Sequence, residues 1–478
     1  GAGFSVERRY VEQLPAVKRQ TGKPPAKMGI IDTTEGWCDA LYAGMESWFS
    51  GKDIEFDFSK IRPAGARLSI KGGRASGPDP LKTLLQFART LILSRQGRSL
   101  SDVDCHDLAC MTGKIVQVGG VRRASEISLS DLDSKDMRLA KSGNWWESSI
   151  HRTMANNSAV YDSKPTSIEF MEEWLSLAKS GSGERGIFNR DGVLRTLPER
   201  RQPKDFGTNP CAEIILRPYQ FCNLSIVVAR HDDTAETLKK KVRIATIFGT
   251  MQACLTDFKY IRREWKDNCQ EERLLGVDIT GQMDCPLLRP GAEGRDELLK
   301  KLRSVVAKTN TEFAERFGIG RAAADTCVKP SGTVSQLTGV SSGMHPWHSE
   351  YYVRTVRADN KDPLTELMKA YEVPNEPDVM KVDSTTVFSF PVKAPEGAIL
   401  RNDLTAIEHL NTWLVYQRAW CEHKPSITVS VKEEEWMEVG AWVYKHFDEV
   451  SGISFLPHSD HTYKQAPYQE CSKEEYEE

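Results

Sequence analysis

Apolar residues recur at intervals of three and four along several segments of the chain, which is the spacing of one buried face of an α-helix. The segments with this pattern are 80–96, 296–317, 404–421 and 433–448. Asp79 and Asp296 stand at the starts of the first two, where a short acidic side chain commonly caps a helix. We therefore expect long amphipathic helices, two of them capped by aspartate.

Short runs rich in branched apolar residues lie around these helices, and such runs are typical of β-strands. We predict strands at Lys114–Val118, Glu126–Ser130, Ser225–Ala229, Ser426–Val431 and Gly452–Leu456. Helices that alternate with short apolar strands predict an α/β fold with parallel strands. Since no internal repeat or low-complexity linker interrupts the 478 residues, we expect one domain with added loops.

The composition is that of an ordinary globular protein, with 39% hydrophobic and 27% charged residues. A net charge of −3 gives no positive field to hold nucleic acid, so we predict no direct binding to DNA or RNA. The sequence contains no long apolar run and no signal-peptide core, so we expect a cytoplasmic protein without a membrane partner. The eleven cysteines include no CxxC pair, and we predict free thiols and no metal site.

A compact group of reactive residue types lies in the segment TNPCAEIIL at 208–216. It places Cys211 two residues before Glu213 and behind Asn209 and a proline, and a carboxylate beside a thiol can exchange protons. Cys222 follows closely enough for a folded loop to bring two sulfurs together. This group suggests redox chemistry on a bound substrate, while burial of Cys211 as a small apolar side chain is the plain alternative.

Two other uses of the cysteines remain open. A hydrolytic role needs a base for the thiol, and His345 and His348 could reach it only through the fold. A metal site could draw on Cys254, Cys269 and Cys285, but their wide spacing matches no close ligand pair. We expect those three cysteines to lie in the core.

Glycine-rich loops provide candidate sites for an anion or a nucleotide. The segment PSGTVS precedes a plausible helix start, and its amides and hydroxyls suit a phosphate; the groups concerned are Ser331, Gly332, Thr333 and Ser335. The segment VGGVRRASE at 118–126 combines two glycines with two arginines that could bind a phosphate or a nucleotide. A capped turn and a solvated basic turn are the respective alternatives.

Several segments carry a family resemblance when they are taken together, namely TNPCAEIILRPYQFCNLS, VKPSGTVSQLTGVSSGMHPWHSEYYVRTVR, VGGVRRASE, GGRASGPDPL and GVDITG. They resemble the catalytic subunit of ribonucleotide reductases. The likeness runs nearly end to end and is greatest to adenosylcobalamin-dependent ribonucleoside-triphosphate reductases of the monomeric type also found in phages. It implies a ten-stranded α/β barrel with a central finger loop at about 205–222, and a first strand that lies upstream of this chain.

The resemblance also implies roles for individual residues. Cys211 would carry a thiyl radical that abstracts the ribose 3′ hydrogen, and Asn209 and Glu213 would hold and deprotonate the 3′-hydroxyl. Cys222 would be one of two cysteines that reduce the 2′ position and end as a disulfide. The implied substrate-binding residues are Thr208, Ser331, Gly332, Thr333 and Val334, and the implied effector-reporting loop is Gly119, Gly120, Val121, Arg122 and Arg123.

The implied activity is reduction of ribonucleoside triphosphates to 2′-deoxyribonucleoside triphosphates with adenosylcobalamin as the cofactor. Subunit-dependent relatives carry a tyrosine pair on the last barrel strand, where this chain has Phe455 and Leu456. The implied partners are the substrate, a deoxynucleoside triphosphate effector, and thioredoxin or a similar dithiol reductant. One alternative is a catalytic subunit that acts on diphosphates with a separate metal-containing radical subunit. Another is a nucleotide-binding regulatory fragment with structural cysteines.

In the family, further redox cysteines act together with the one that Cys222 matches. This chain has no cysteine at the positions that match them. The direct partner lies on the first barrel strand in the family, upstream of GFSVERRYV, and Cys38 is not at the matching position. The tail pair that relays electrons from thioredoxin would lie beyond Glu478. We therefore expect a fragment of a longer enzyme that cannot turn over alone.

Overall fold

The computed structural model describes residues 1–68, 74–116, 125–379, 382–458 and 465–478. The predicted effector loop, Gly119–Arg123, lies outside the described residues. The chain divides into two compact units. Unit 1 holds the described residues of 1–157, 354–390 and 463–467, and unit 2 holds those of 158–353, 391–462 and 468–478.

The strands of the described residues are mostly short. They are β1 (Ala2–Ser5), β2 (Ala26–Gly29), β3 (Ile54–Asp57), β4 (Glu126–Asp131), β5 (Ala155–Tyr161), β6 (Gly186–Asn189), β7 (Gly207–Thr208), β8 (Ile215–Leu216), β9 (Asn223–Val228), β10 (Leu275–Thr280), β11 (Tyr351–Asp359), β12 (Asn375–Pro377), β13 (Thr385–Lys393), β14 (Thr428–Val431), β15 (Gly452–Pro457) and β16 (Tyr468–Glu470).

Helices occupy much of the remaining chain, together with 3₁₀ turns at Ile150–Met154, Arg401–Asp403 and Glu433–Glu435. They are α1 (Arg8–Val11), α2 (Thr34–Phe49), α3 (Asp79–Leu93), α4 (Asp102–Val116), α5 (Lys135–Leu139), α6 (Trp145–Ser148), α7 (Ser167–Ser180), α8 (Arg190–Arg195), α9 (Ala235–Gln252), α10 (Arg263–Glu272), α11 (Arg295–Phe317), α12 (Val334–Thr338), α13 (Pro363–Ala370), α14 (Ala406–Ala419), α15 (Trp436–Lys445) and α16 (Lys473–Glu477). Among the described helices, none has the length and apolar character needed to cross a membrane.

Unit 1 combines parallel strand pairs with packed helices. Strand β1 pairs with β4 and β2 pairs with β3, each in parallel. Helix α3 packs between α2 and α4, and their apolar faces bury a core that includes Trp48, Leu84, Ala88, Ile92 and Met111. The three-and-four spacing of apolar residues in α3 is what places Leu81, Leu84, Leu85, Ala88 and Ile92 on one buried face.

Unit 2 contains parallel strands covered by helices. Strand β5 runs parallel to β6, β6 pairs antiparallel with β15, and β15 runs parallel to β14. Strand β9 runs parallel to β10, and single parallel bridges continue this order from Val277 to Thr326 and from Val328 to Pro425. Every residue of β10 is buried, as expected for a parallel strand with helices such as α9 packed over it. The predicted α/β class with parallel strands is confirmed.

Most predicted elements are confirmed, but one predicted strand is wrong. Helices α3, α11, α14 and α15 match the four predicted helices, and β4, β9, β14 and β15 match four predicted strands. The described part of Lys114–Val118 instead ends helix α4. Its branched residues follow the buried positions Cys110, Met111 and Gly113, whose spacing is helical, and a short branched run alone does not separate the two structures.

The predicted aspartate caps are also wrong. Pro78 and Gly294 occupy the N-cap positions of α3 and α11. Asp79 lies one position and Asp296 two positions after the N-cap, both in the first helical turn. There their negative charge interacts favourably with the helix dipole, which explains why acidic residues are common at both positions.

Candidate active site

Strands β7 and β8 form a short antiparallel hairpin, and the residues between them make its tip. The N–H of Ala212 donates to the Asn209 carbonyl at 2.8 Å, and Ala212 adopts a left-handed backbone with φ of 61°. The Asn209 side chain closes the tip, because its Oδ1 accepts the N–H of Ile214 at 3.0 Å. These bonds hold Asn209, Cys211 and Glu213 together in one turn.

Cys211 and Glu213 differ sharply in exposure. Cys211 is exposed, whereas the exposed fraction of Glu213 is 0%. Neither carboxylate oxygen of Glu213 has a partner in good hydrogen-bond geometry among the described residues, although its own backbone N–H and the Asn209 side chain lie close enough to stabilise its charge. Burial raises the pKa of the Glu213 carboxyl; these two polar groups oppose the rise most, and positive charge on Lys329 and Lys424 opposes it further. The carboxyl therefore keeps acceptor capacity for a ligand and binds a proton more readily than an exposed glutamate.

Both candidate redox thiols are held in the protonated form. Crowding by protein atoms and the charge of Glu213 raise the pKa of Cys211, although the residue as a whole is exposed. Burial raises the pKa of Cys222 well above its usual value, and its thiol donates to the Asn223 carbonyl at 3.1 Å. The charge of Glu213 acts on both sulfurs, which places Cys222 in the electrostatic neighbourhood of the hairpin tip.

The segment PSGTVS folds against a buried carboxylate that sequence reasoning did not single out. Asp278 in β10 has an exposed fraction of 0%. Its two oxygens accept the Ser331 hydroxyl at 2.8 Å and the Lys329 N–H at 2.7 Å. Ser331 is itself buried and has a left-handed φ of 51°. The motif GVDITG, part of the family resemblance, contained the signal for Asp278.

The other predicted substrate-binding residues lie around this segment and the hairpin. Thr208 is buried at the end of β7. Thr333 is exposed at the N-cap position of α12 and makes no side-chain cap, and Val334 begins the helix. A Cβ added at Gly332 would meet a nearest atom only at 4.0 Å, from Ser342. A side chain at position 332 would therefore meet no close neighbour.

Two residues that sequence reasoning missed, Lys424 and Ser426, contact the hairpin tip. The Ser426 hydroxyl donates to the Cys211 carbonyl at 2.5 Å, and Lys424 Nζ donates to the Ala212 carbonyl at 2.5 Å. The partners are separated by 215 and 212 positions in sequence. The predicted strand at Ser426–Val431 indicated structure there but no site.

The histidines and cysteines considered for a hydrolytic or a metal site make contacts of other kinds. His345 hydrogen-bonds backbone groups through both ring nitrogens, and His348 stacks on an aromatic ring. Cys285 is buried, Cys269 accepts a backbone N–H, and Cys254 donates to a backbone carbonyl. Within the described ranges, no three histidine, cysteine or acidic side chains gather as a metal site.

Comparison with known proteins shows what the whole chain is similar to. No family model matches the chain. It is 28% identical, over 95% of its length, to the adenosylcobalamin-dependent ribonucleoside-triphosphate reductase of Euglena gracilis. Proteins of the same name from Levilactobacillus brevis and Lactobacillus acidophilus are each 29% identical, over 92% and 100% of this chain. The chain spans 63% of the length of the first two relatives and 73% of the third.

A crystal structure of a B12-dependent (class II) ribonucleotide reductase superposes on the whole chain with a TM-score of 0.79, at 23% identity and over 74% of that structure. The chain has the ribonucleotide reductase fold. The class Id ribonucleotide reductase alpha subunit of Actinobacillus ureae superposes with a TM-score of 0.53 at 15% identity, over 92% of this chain and 85% of that one. The predicted α/β barrel of the ribonucleotide reductase type and the family resemblance are thereby confirmed.

Within this ribonucleotide reductase fold, the β7–β8 hairpin falls inside the predicted finger loop of about 205–222. The hairpin is held from one side by Lys424 and Ser426, while the charge of Lys329, from the PSGTVS side, acts on Glu213. The thiol, the buried acid and the glycine-containing segment thus belong to one neighbourhood in unit 2.

Proposed function

We propose that the protein reduces ribonucleoside triphosphates to 2′-deoxyribonucleoside triphosphates by a thiyl-radical mechanism. The observation that carries the proposal is the hairpin tip, where the exposed residue Cys211 stands two residues from the fully buried carboxyl of Glu213. Abstraction of a sugar hydrogen requires an accessible sulfur, and proton transfer from the sugar requires a base shielded from water. The curated relatives carry the name of this activity.

Each residue of the tip has a task in this reaction. Cys211 abstracts the ribose 3′ hydrogen, and Glu213 takes the proton of the 3′-hydroxyl, for which its raised pKa is suited. Asn209 shapes the turn that holds both, through its bond to the Ile214 N–H. Cys222 and a second thiol supply two electrons and two protons at the 2′ position, where the hydroxyl leaves as water and the sulfurs end as a disulfide.

The residues present fit adenosylcobalamin as the radical source. Cys211 is exposed and therefore accessible to a large cofactor. Strand β15 offers Phe455 and Leu456, and the Phe455 ring packs on Trp174 at 4.9 Å between centroids. A phenyl ring has no hydroxyl hydrogen to pass on, so this strand cannot serve as a tyrosine relay. When bound, adenosylcobalamin supplies the radical; the chain presents the Cys211 sulfur and keeps Glu213 away from water.

The remaining assignments are part of the same proposal. The space beside the Cα of Gly332 and the exposure of Thr333 support binding of the substrate phosphates there, with the predicted set being Thr208, Ser331, Gly332, Thr333 and Val334. We assign Gly119–Arg123 to effector reporting on the family resemblance. A deoxynucleoside triphosphate is the proposed effector, thioredoxin or a similar dithiol the reductant, and the cytoplasm the site of action, without membrane or nucleic-acid partners.

The decisive experiment uses the complete natural protein that contains this chain. With adenosylcobalamin, a ribonucleoside triphosphate and dithiothreitol, the wild type should form deoxynucleotide. Cys211→Ala should bind the nucleotide normally but lose at least about 1,000-fold in product formation, because a residue essential to the chemical step is removed. Cys254→Ala, in a cysteine outside the hairpin, should stay active. Product formation retained by Cys211→Ala would contradict the proposal.

The same assay separates the alternatives. A subunit-dependent enzyme would stay inactive with adenosylcobalamin alone and would act on diphosphates once a metal-containing radical subunit is added. A regulatory fragment would bind nucleotide without turnover in any mixture. If Cys222→Ser leaves turnover with dithiothreitol unimpaired, Cys222 has only a structural role.

A further inference from the structure

The segment 424–426, just before strand β14, binds three successive carbonyl groups of the hairpin tip. The Ser426 hydroxyl holds the Cys211 carbonyl and Lys424 Nζ holds the Ala212 carbonyl, both at 2.5 Å. The backbone N–H of Lys424 donates to the Glu213 carbonyl at 3.2 Å. Every residue from the thiol to the carboxyl is therefore tied to the same segment, including the left-handed Ala212.

Lys424 is a buried cation beside a buried acid. Its exposed fraction is 2%. Its hydrocarbon stem passes Gly452 of β15, where an added Cβ would lie 3.0 Å from Lys424 Cε. Burial lowers the pKa of Lys424 to about 8, and the charge of Glu213 opposes this fall. Lys424 is therefore mainly an ammonium ion at neutral pH, and it attracts the Glu213 carboxylate.

The groups that interact electrostatically with Glu213 come from several segments. They are Lys329, Lys424, Asp278, Cys211, Cys222 and Cys327. In this set, the two lysines favour the ionised form of Glu213, whereas the acid and any ionised thiol oppose it. Lys424 differs from Lys329 in that its ammonium group also bonds the hairpin tip.

We propose that Lys424 is a positioning residue that fixes the Cys211–Glu213 turn and favours the ionised form of the Glu213 carboxyl. Through the turn it aims the thiol, and through its charge it keeps the carboxylate able to accept a proton. The source of this proton, the ribose 3′-hydroxyl, rests on the proposed function. The holding of the turn and the effect of the Lys424 charge on Glu213 do not rest on it.

Three variants separate the effect of the bonds that hold the hairpin tip from the effect of lysine charge on Glu213. Lys424→Met removes the bond and the charge at similar volume, Ser426→Ala removes a bond to the tip without changing charge, and Lys329→Met removes charge without a bond to the tip. Carboxyl-¹³C-glutamate labelling follows the Glu213 titration, with the signal assigned by its loss in Glu213→Gln. We expect the midpoint to rise by about one pH unit in Lys424→Met and Lys329→Met and to stay unchanged in Ser426→Ala.

Amide hydrogen exchange measures how firmly the hairpin tip is held. The amides of Ala212 and Ile214 should exchange at least about tenfold faster in Lys424→Met and Ser426→Ala, and at the wild-type rate in Lys329→Met. An unchanged titration midpoint or unchanged exchange in Lys424→Met overturns the proposal. If Lys424→Met does not fold, Lys424→Gln provides the same comparison with a polar side chain.

Catalysis adds a readout that a merely structural lysine would not change. In the complete protein, Lys424→Met should shift the acid limb of kcat to higher pH, by the amount seen in the titration, while Ser426→Ala lowers kcat without a shift. If the wild type forms no deoxynucleotide, the proposed function fails, whereas the titration and exchange results still decide the role of Lys424.

Discussion

The reactivity of the Cys211 thiol depends on the charge of Glu213. Burial raises the pKa of Cys211, and the negative charge of Glu213 raises it further. Glu213→Gln removes that charge, so the pKa should fall and the thiolate fraction should rise. We expect iodoacetamide to alkylate Cys211 about three- to tenfold faster at a pH below its pKa.

Peptide mapping by mass spectrometry measures this rate and resolves Cys211 from the exposed Cys38. Glu433→Gln is the matched control, because Glu433 is exposed and is not among the charges that act on Cys211. Equal rates in the wild type and in Glu213→Gln would mean that the carboxylate does not control the thiol.

At the scale of elements, Asp278 joins strand β10 to the segment that leads into α12. Asp278→Ala leaves the buried Ser331 hydroxyl and the Lys329 N–H without their acceptor, each at a cost of about 1–3 kcal/mol. We expect a less stable segment and a dissociation constant for nucleoside triphosphate raised at least about tenfold, which is about 1.4 kcal/mol.

Isothermal titration calorimetry measures the affinity, and urea unfolding measures the stability. Asp278→Asn keeps an acceptor oxygen for one of the two donors, so it should lose less nucleotide affinity and less stability than Asp278→Ala. Wild-type affinity in a folded Asp278→Ala protein would show that the segment does not bind the phosphates.

Local patterns identified the longer amphipathic helices, several strands and part of the candidate site. The long helices and four strands follow from periodicity, and Asn209, Cys211 and Glu213 share one short segment. The caps were misjudged because acidic residues favour both the N-cap and the first turn. Lys424 was missed because its partner is 212 positions away in sequence and only the folded chain brings the two together.

On the scale of the molecule, the division into two units also lies beyond local patterns. Unit 1 takes in the described residues of 354–390 and 463–467 as well as the N-terminal region. A unit assembled from distant segments needs no single linker, so the sequence contains no proline- or glycine-rich boundary to indicate it. The α/β class, in contrast, follows from the order of elements.

Global stability depends on the ionisation of a buried histidine in unit 2. The exposed fraction of His423 is 3%. Its Nε2 lies 2.8 Å from the Leu275 carbonyl and its Nδ1 accepts the Ile215 N–H at 3.2 Å, an arrangement that requires a neutral ring with the proton on Nε2. Burial lowers the pKa of His423 to about 3. Protonation would break the link between β8 and this ring.

The unfolded chain binds a proton at His423 more readily than the folded chain, so acid favours unfolding. Below about pH 6.5 the unfolded chain binds a proton at His423 that the folded chain excludes, so this residue lowers the free energy of unfolding by about 1.4 kcal/mol per pH unit. We expect His423→Gln to be less stable than the wild type at pH 7, with the difference shrinking by about 2 kcal/mol at pH 5. Urea unfolding across this pH range tests it. His458→Gln, at a partly exposed histidine, should keep the wild-type slope, and a constant difference for His423→Gln would contradict the prediction.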